Sequence, residues 1–284
     1  MRLGGQRESS NVEDRRGGGG LPIGIAGGGL GTIALVVLAL LFGVDPSVIL
    51  SGGGAPESQV SDSRAPADPA QDDQRRFVAQ VLATTEDVWT DVFRRGGQEY
   101  QPPNLVLFSG GTQSGCGFAQ TAVGPFYCPE DRKVYLDLAF FRDMERKLGA
   151  SGDFARAYVI AHEVGHHVQN QLGILRRVEQ ERRGLGEAQS NAMQVRVELQ
   201  ADCFAGVWGN RTQRMRQVLE EGDIEEGLNA AAAVGDDRLQ RRARGTVVPE
   251  SFTHGSSAQR VRWFRRGLES GDVRQCDSFA GGAL

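Results

Sequence analysis

The chain has 284 residues, 39% apolar and 24% charged, which suits one sizeable folded domain with length left for an anchor or a linker. Its net charge of −4 supplies no basic stripe of the kind that phosphates demand, so nucleic-acid binding is not expected. A glycine-rich phosphate loop, a dinucleotide fingerprint and a repeat of about 20–50 residues are all missing, which sets aside nucleotide chemistry, solenoids and propellers.

Residues 1–20 are polar and carry Arg2, Arg7, Arg15 and Arg16. Residues 21–44 contain no charged side chain. About 20 apolar residues cross a bilayer as a helix, so this stretch reads as a transmembrane anchor. Four arginines precede it and none follows until Arg64, which predicts a cytoplasmic N-terminal tail and a domain outside the cytoplasm. The leader is long and no clean A-x-A site follows, so the anchor reads as uncleaved. Residues 45–74 are rich in Gly, Pro, Ser and Asp and read as a flexible linker. The folded domain is then expected over 75–284.

Within that domain Phe77, Val78, Val81, Leu82, Val88, Trp89, Val92 and Phe93 recur at a helical period. Residues 104–108 and 134–138 read as short strands separated by glycine turns. Helical patterning dominates from there to the end, so the expected class is α+β, mainly helical with a small sheet. The four cysteines lack C-x-x-C spacing and suit two disulfides in an oxidising compartment. Of three possible pairings, Cys116–Cys128 is favoured because the two flank a stretch able to fold back as a hairpin. Cys203–Cys276 follows by elimination.

The chemistry centres on AYVIAHEVGHHVQNQ, residues 157–171, which holds three of the four histidines. His162 and His166 stand at i and i+4 of a predicted helix, one turn apart on one face, so both imidazoles can bind one zinc ion. Glu163 is placed to take a proton from the attacking water. Ser151, Gly152 and Asp153 offer N-cap groups for this helix, and Gly165 points to close packing or to room near the metal. His167 is turned about 100° away and reads as a packing or hydrogen-bonding residue.

A hydrolytic zinc site needs a third protein ligand and an open position. Position 169 is Gln and position 172 is Leu, so a third histidine on the same segment is excluded. A second predicted helix carries Glu198 and Asp202, again at i and i+4. Glu198 can ligate the metal, and Asp202 can accept the free N–H of a ligand histidine and fix its tautomer. Glu179, Glu181 and Glu187 are alternative ligands in a more polar region. His254 precedes a predicted helix at 256–268 and is a candidate donor to a developing oxyanion. Arg260 reads mainly as a structural salt-bridge residue.

These blocks occur in a definite order: RESSNVEDRRG, AVGPFYCPEDRKVYLDLAFF, AYVIAHEVGHHVQNQLGI, VELQADCFAGVW, AAAAVGDDRLQ and PESFTHGSSAQRVRWF. Together they resemble the bacterial neutral zinc metallopeptidase family over nearly the whole chain. The resemblance implies a zincin-like fold with a short sheet against the active-site helix. It also implies the gluzincin arrangement, with one zinc ion held by His162, His166 and Glu198 and with Asp202 in support. The expected function is a zinc-dependent peptidase that uses a metal-activated water and Glu163 as general base. Its partners are a peptide or protein substrate and the membrane. A non-hydrolytic, zinc-stabilised envelope scaffold or binding module is the alternative, and a metallohydrolase acting on a non-peptide amide is a third. The strand near 134–138 is expected to lie beside the cleft and pair with an extended substrate.

Overall fold

The computed structural model describes residues 1–16, 69–281 and 284. Among them the strands are β1 (Val12–Asp14), β2 (Asn104–Phe108), β3 (Gly111–Ser114), β4 (Gly117–Gln120), β5 (Phe126–Cys128) and β6 (Lys133–Asp137). The α-helices are α1 (Pro69–Arg95), α2 (Ala139–Asp143), α3 (Asp153–Gln171), α4 (Ile174–Arg182), α5 (Glu187–Arg216), α6 (Asp223–Ala233), α7 (Asp236–Arg244) and α8 (Ser257–Ser270). The architecture is α+β and mainly helical, as expected.

The main sheet has the order β1-β2-β6-β5, and β3 and β4 form a separate hairpin. β2 lies parallel to both β1 and β6, while β5 runs antiparallel to β6. The sequences NLVLF and KVYLD are almost continuously apolar because the sheet is covered on both faces. Leu105, Leu107, Val134 and Leu136 join the helical core. Val106, Phe108 and Tyr135 point the other way and pack with Ala119 of the hairpin and with Cys128. The disulfide Cys116–Cys128 ties the hairpin turn to β5, and Cys203–Cys276 ties α5 to the C-terminal segment. These are the two pairings that the spacing favoured.

α3 packs across the helical face of the sheet and against α5, which in turn crosses α8. A glycine stands at each of these crossings. A Cβ on Gly165 would lie 3.0 Å from the carbonyl oxygen of Ala201, so the glycine marks close packing of α3 on α5. A Cβ on Gly267 would lie 1.9 Å from the carbonyl oxygen of Cys203 and could not be accommodated without moving a helix.

Several expectations need correction. α1 begins at Pro69, inside the stretch read as linker; a proline fits the first turn because its missing N–H would have no helical partner there. β6 has β2 on one side and β5 on the other, so it cannot pair with a substrate; β5 is the outer strand next to it. No side chain from residues 151–153 caps α3. Gly152 adopts a positive φ of 106°, and the carboxylate of Glu226 on α6 accepts from the Phe154 N–H at 3.0 Å instead. Residues 1–16, expected as a tail apart from the domain, pack onto it and supply β1. The expected anchor at 21–44 lies outside the described residues; among those described, no helix is long and apolar enough to cross a membrane.

Candidate metal centre

The helical spacing of His162 and His166 brings both Nε2 atoms to one side of α3, facing Glu198 on α5. The Oε2 of Glu198 lies 3.2 Å from the Nε2 of His162 and 3.6 Å from that of His166. One ligand atom from each of the three residues falls within 4.8 Å of the others, a cluster able to hold a single ion. The donor set fits zinc: two imidazole nitrogens and one carboxylate, with no cysteine among them. Two neutral imidazole lone pairs and a carboxylate oxygen would repel at such distances, so the arrangement calls for a cation or protons between them.

The tautomer of His162 is set from behind. Its Nδ1 lies 2.9 Å from Oδ1 of Asp202, so a proton there leaves Nε2 free to bind a metal. Asp202 is fully buried and also accepts from the Tyr158 hydroxyl at 2.5 Å. Arg260 donates to both of its oxygens, from Nε and from one terminal nitrogen, at 2.9 Å each. Burial alone would raise the Asp202 pKa, but Arg260 and His162 outweigh it and hold the carboxylate below its usual range. Arg260 is thus the salt-bridge residue expected, and its partner is the carboxylate that holds a candidate ligand.

His166 is held from a different direction. Its Nδ1 lies 2.9 Å from Oε1 of Gln169, whose amide donates to the Val197 carbonyl at 2.8 Å and to Oε1 of Gln200 at 3.0 Å. The other oxygen of Glu198 accepts from Gln194 at 3.0 Å, and Gln194 accepts from Arg182 at 2.8 Å. Metal-free, burial opposes the charged form of His162, but the Asp202 and Glu198 carboxylates overcome this and push its pKa up to about 9. Burial acts the same way on Glu198, yet the two imidazoles hold it well below the carboxylate range.

Glu163 is buried beside these groups, and burial raises its pKa. His254 is brought in by the segment between α7 and α8. Asp236, at the start of α7, accepts from the backbone N–H groups of Thr253, His254 and Gly255, and its other oxygen lies 3.3 Å from the His254 Nδ1. Burial would lower the His254 pKa, but the Asp236 hydrogen bond and the nearby Glu198 charge raise it. His167 lies apart from the cluster. It bridges the Tyr127 hydroxyl of β5 at 3.1 Å and the Gln101 carbonyl at 2.6 Å, and burial lowers its pKa to about 4. Glu179, Glu181 and Glu187 are not among the clustered ligands.

The sequence did not reveal the hydrogen bonds of Tyr158, Gln169 and Gln194 around the cluster. Tyr158 stands four residues before His162 and Gln194 four before Glu198, so the same-face rule that paired the ligands also reaches them. Gln169 stands three residues after His166, a spacing covered by the same rule.

The model of one protein family, described as "Putative neutral zinc metallopeptidase", matches residues 1–279. The chain belongs to this family. It is 51% identical to the uncharacterized protein YpfJ of Escherichia coli K12, over 98% of this chain and 99% of that protein. It is 42% identical to the uncharacterized proteins Rv2575 of Mycobacterium tuberculosis H37Rv and Mb2605 of Mycobacterium bovis, over 87% of this chain and 86% of each relative. No solved structure matches the chain significantly. The family match supports the zinc metallopeptidase class, and the His162–His166–Glu198 cluster supplies a place for a metal ion.

Proposed function

We propose that this chain is a zinc-dependent peptidase with a zincin-like domain, holding one zinc ion through His162, His166 and Glu198. The observation that carries the reading is the convergence of two imidazoles from α3 and a carboxylate from α5 on one point, with Asp202 behind His162. Bound zinc supplies Lewis-acid activation of water and of the scissile carbonyl. Glu163 takes the proton of the attacking water and returns it to the leaving amine. His254, with its Nδ1 turned to Asp236, offers Nε2 to the developing oxyanion. Asp202, Arg260 and Tyr158 hold His162 in register.

An extended peptide adds to the outer edge of β5, whose only strand partner among the described residues is β6. β5 also meets the active-site helix, since Tyr127 bonds to Asn170 at 2.8 Å and to His167. The two disulfides support an oxidising compartment, outside the cytoplasm, for the domain. The uncharged stretch 21–44 supports association with the cell membrane.

Digestion of a peptide library by the purified full chain tests the activity. Cleavage that stops with a chelator and returns with zinc is the expected result. Bound zinc with no cleavage of any peptide would leave the zinc-stabilised scaffold as the better reading.

A further inference from the structure

The first sixteen residues are part of the domain's wiring. The backbone of β1 pairs in parallel with β2, in the register Val12 to Leu105, Glu13 to Val106 and Asp14 to Leu107. Leu3 is buried in the main core. Glu86 of α1 is 6% exposed, and its carboxylate accepts from Arg7 at 2.8 Å, from Ser9 at 2.5 Å and from Asn11 at 2.8 Å. All of those partners come from the N-terminal segment. With that segment elsewhere, a largely buried carboxylate would lose every one of these donors, which is costly in a low-dielectric interior.

The charges tell the same story. The expectation that residues 1–20 stay in the cytoplasm rested on the four arginines that precede the uncharged stretch. In the fold Arg7 pairs with Glu86 and Asp87, Arg15 with Glu13, Arg16 with Asp14, and Arg2 lies 3.8 Å from Glu220. The glutamate that Arg15 meets also meets Lys133 of β6 at 2.9 Å. Arg7 and Arg2 thus meet acids of the domain, whereas Arg15 and Arg16 pair with acids of the same segment.

We infer that residues 1–16 and the catalytic domain lie on the same side of the membrane, because the segment is a strand and a set of buried hydrogen-bond donors of that domain. A single crossing between residues 16 and 69 would put β1 and β2 on opposite sides of a bilayer about 30 Å thick, and the observed pairing excludes that. The inference rests on the proposed membrane association of the chain. It corrects the expected sidedness of the tail and, with the domain outside the cytoplasm, carries the N-terminal segment outside too.

Single-cysteine labelling of the full chain in intact cells tests this. The four native cysteines are all in disulfides, so an introduced thiol is the only one open to reaction. Gly4→Cys on the segment and Gly186→Cys on the domain both enter open space. A membrane-impermeant maleimide is applied before and after permeabilisation, with labelling in detergent as the control that both thiols react. Equal labelling of the two variants in intact cells is the expected result. If both react only after permeabilisation, the shared side stands and the domain's position outside the cytoplasm falls. If Gly186→Cys reacts in intact cells and Gly4→Cys reacts only after permeabilisation, the inference is overturned. Resistance of the chain to carbonate extraction reports membrane association separately.

Discussion

The Nδ1 of His162 and the Oδ1 of Asp202 lie 2.9 Å apart on two different helices, and this contact joins the candidate metal ligand to a buried ion pair. Asp202 receives donors from His162, Tyr158 and Arg260, so its carboxylate links α3, α5 and α8. Asp202→Asn keeps the size and removes the charge. Arg260 is then left buried without its counter-ion, a change that costs about 3–5 kcal/mol. The candidate ligand His162 loses its fixed tautomer, which is expected to lower metal affinity about 10–100-fold. Thermal unfolding and a competitive zinc titration measure the two effects. An unchanged zinc affinity in the folded variant would show that Asp202 is structural only.

In the proposed mechanism Glu163 acts on the attacking water and lies outside the candidate ligand cluster, so Glu163→Gln separates chemistry from metal binding. The variant is expected to retain one zinc per chain and to lose peptidase activity by at least about 10²-fold, the low end for removal of a general base. Metal analysis and peptide turnover on the same sample check this. Activity close to that of the parent would remove Glu163 from the mechanism.

His254 is held by Asp236 on a segment that carries none of the three candidate ligands. His254→Ala is expected to lower kcat about 10²–10³-fold, in the range for loss of an oxyanion donor, while zinc content stays the same. Asp236→Ala should also lower kcat through loss of the backbone bonds that shape the loop. A variant of His254 that altered KM alone would assign the residue to substrate binding.

The two disulfides close loops of very different length. Cys203–Cys276 spans 73 residues and Cys116–Cys128 spans 12. Chain-entropy arguments give about 4 kcal/mol for the longer loop and about 3 kcal/mol for the shorter. The Cys203→Ser/Cys276→Ser protein should therefore unfold at lower denaturant than the Cys116→Ser/Cys128→Ser protein. The opposite order would mean that the hairpin tie matters more than unfolded-state entropy.

The site was legible in the sequence to the extent that it obeys local periodicity. Spacing of four residues on a helix placed His162 with His166 and Glu198 with Asp202. The contacts across elements were harder to read. Arg260 and Asp202 are far apart in sequence, and nothing local announces that the guanidinium turns inward. The Glu226 cap on α3 replaces a local cap that the sequence offered but the backbone at Gly152 does not use. β1 escaped notice for a similar reason. Its three residues, Val-Glu-Asp, are mostly exposed and show no alternation; its pairing is decided by the edge of β2 and by Glu86 below it.

The proposed chemistry depends on one ion between His162, His166 and Glu198. Crystals of the zinc-loaded protein, measured with anomalous scattering at the zinc edge, address it most directly. A single strong peak is expected about 2.0–2.2 Å from the two Nε2 atoms and from a Glu198 oxygen. A peak elsewhere, or a Glu198 carboxylate turned away from the paired imidazoles, would contradict it.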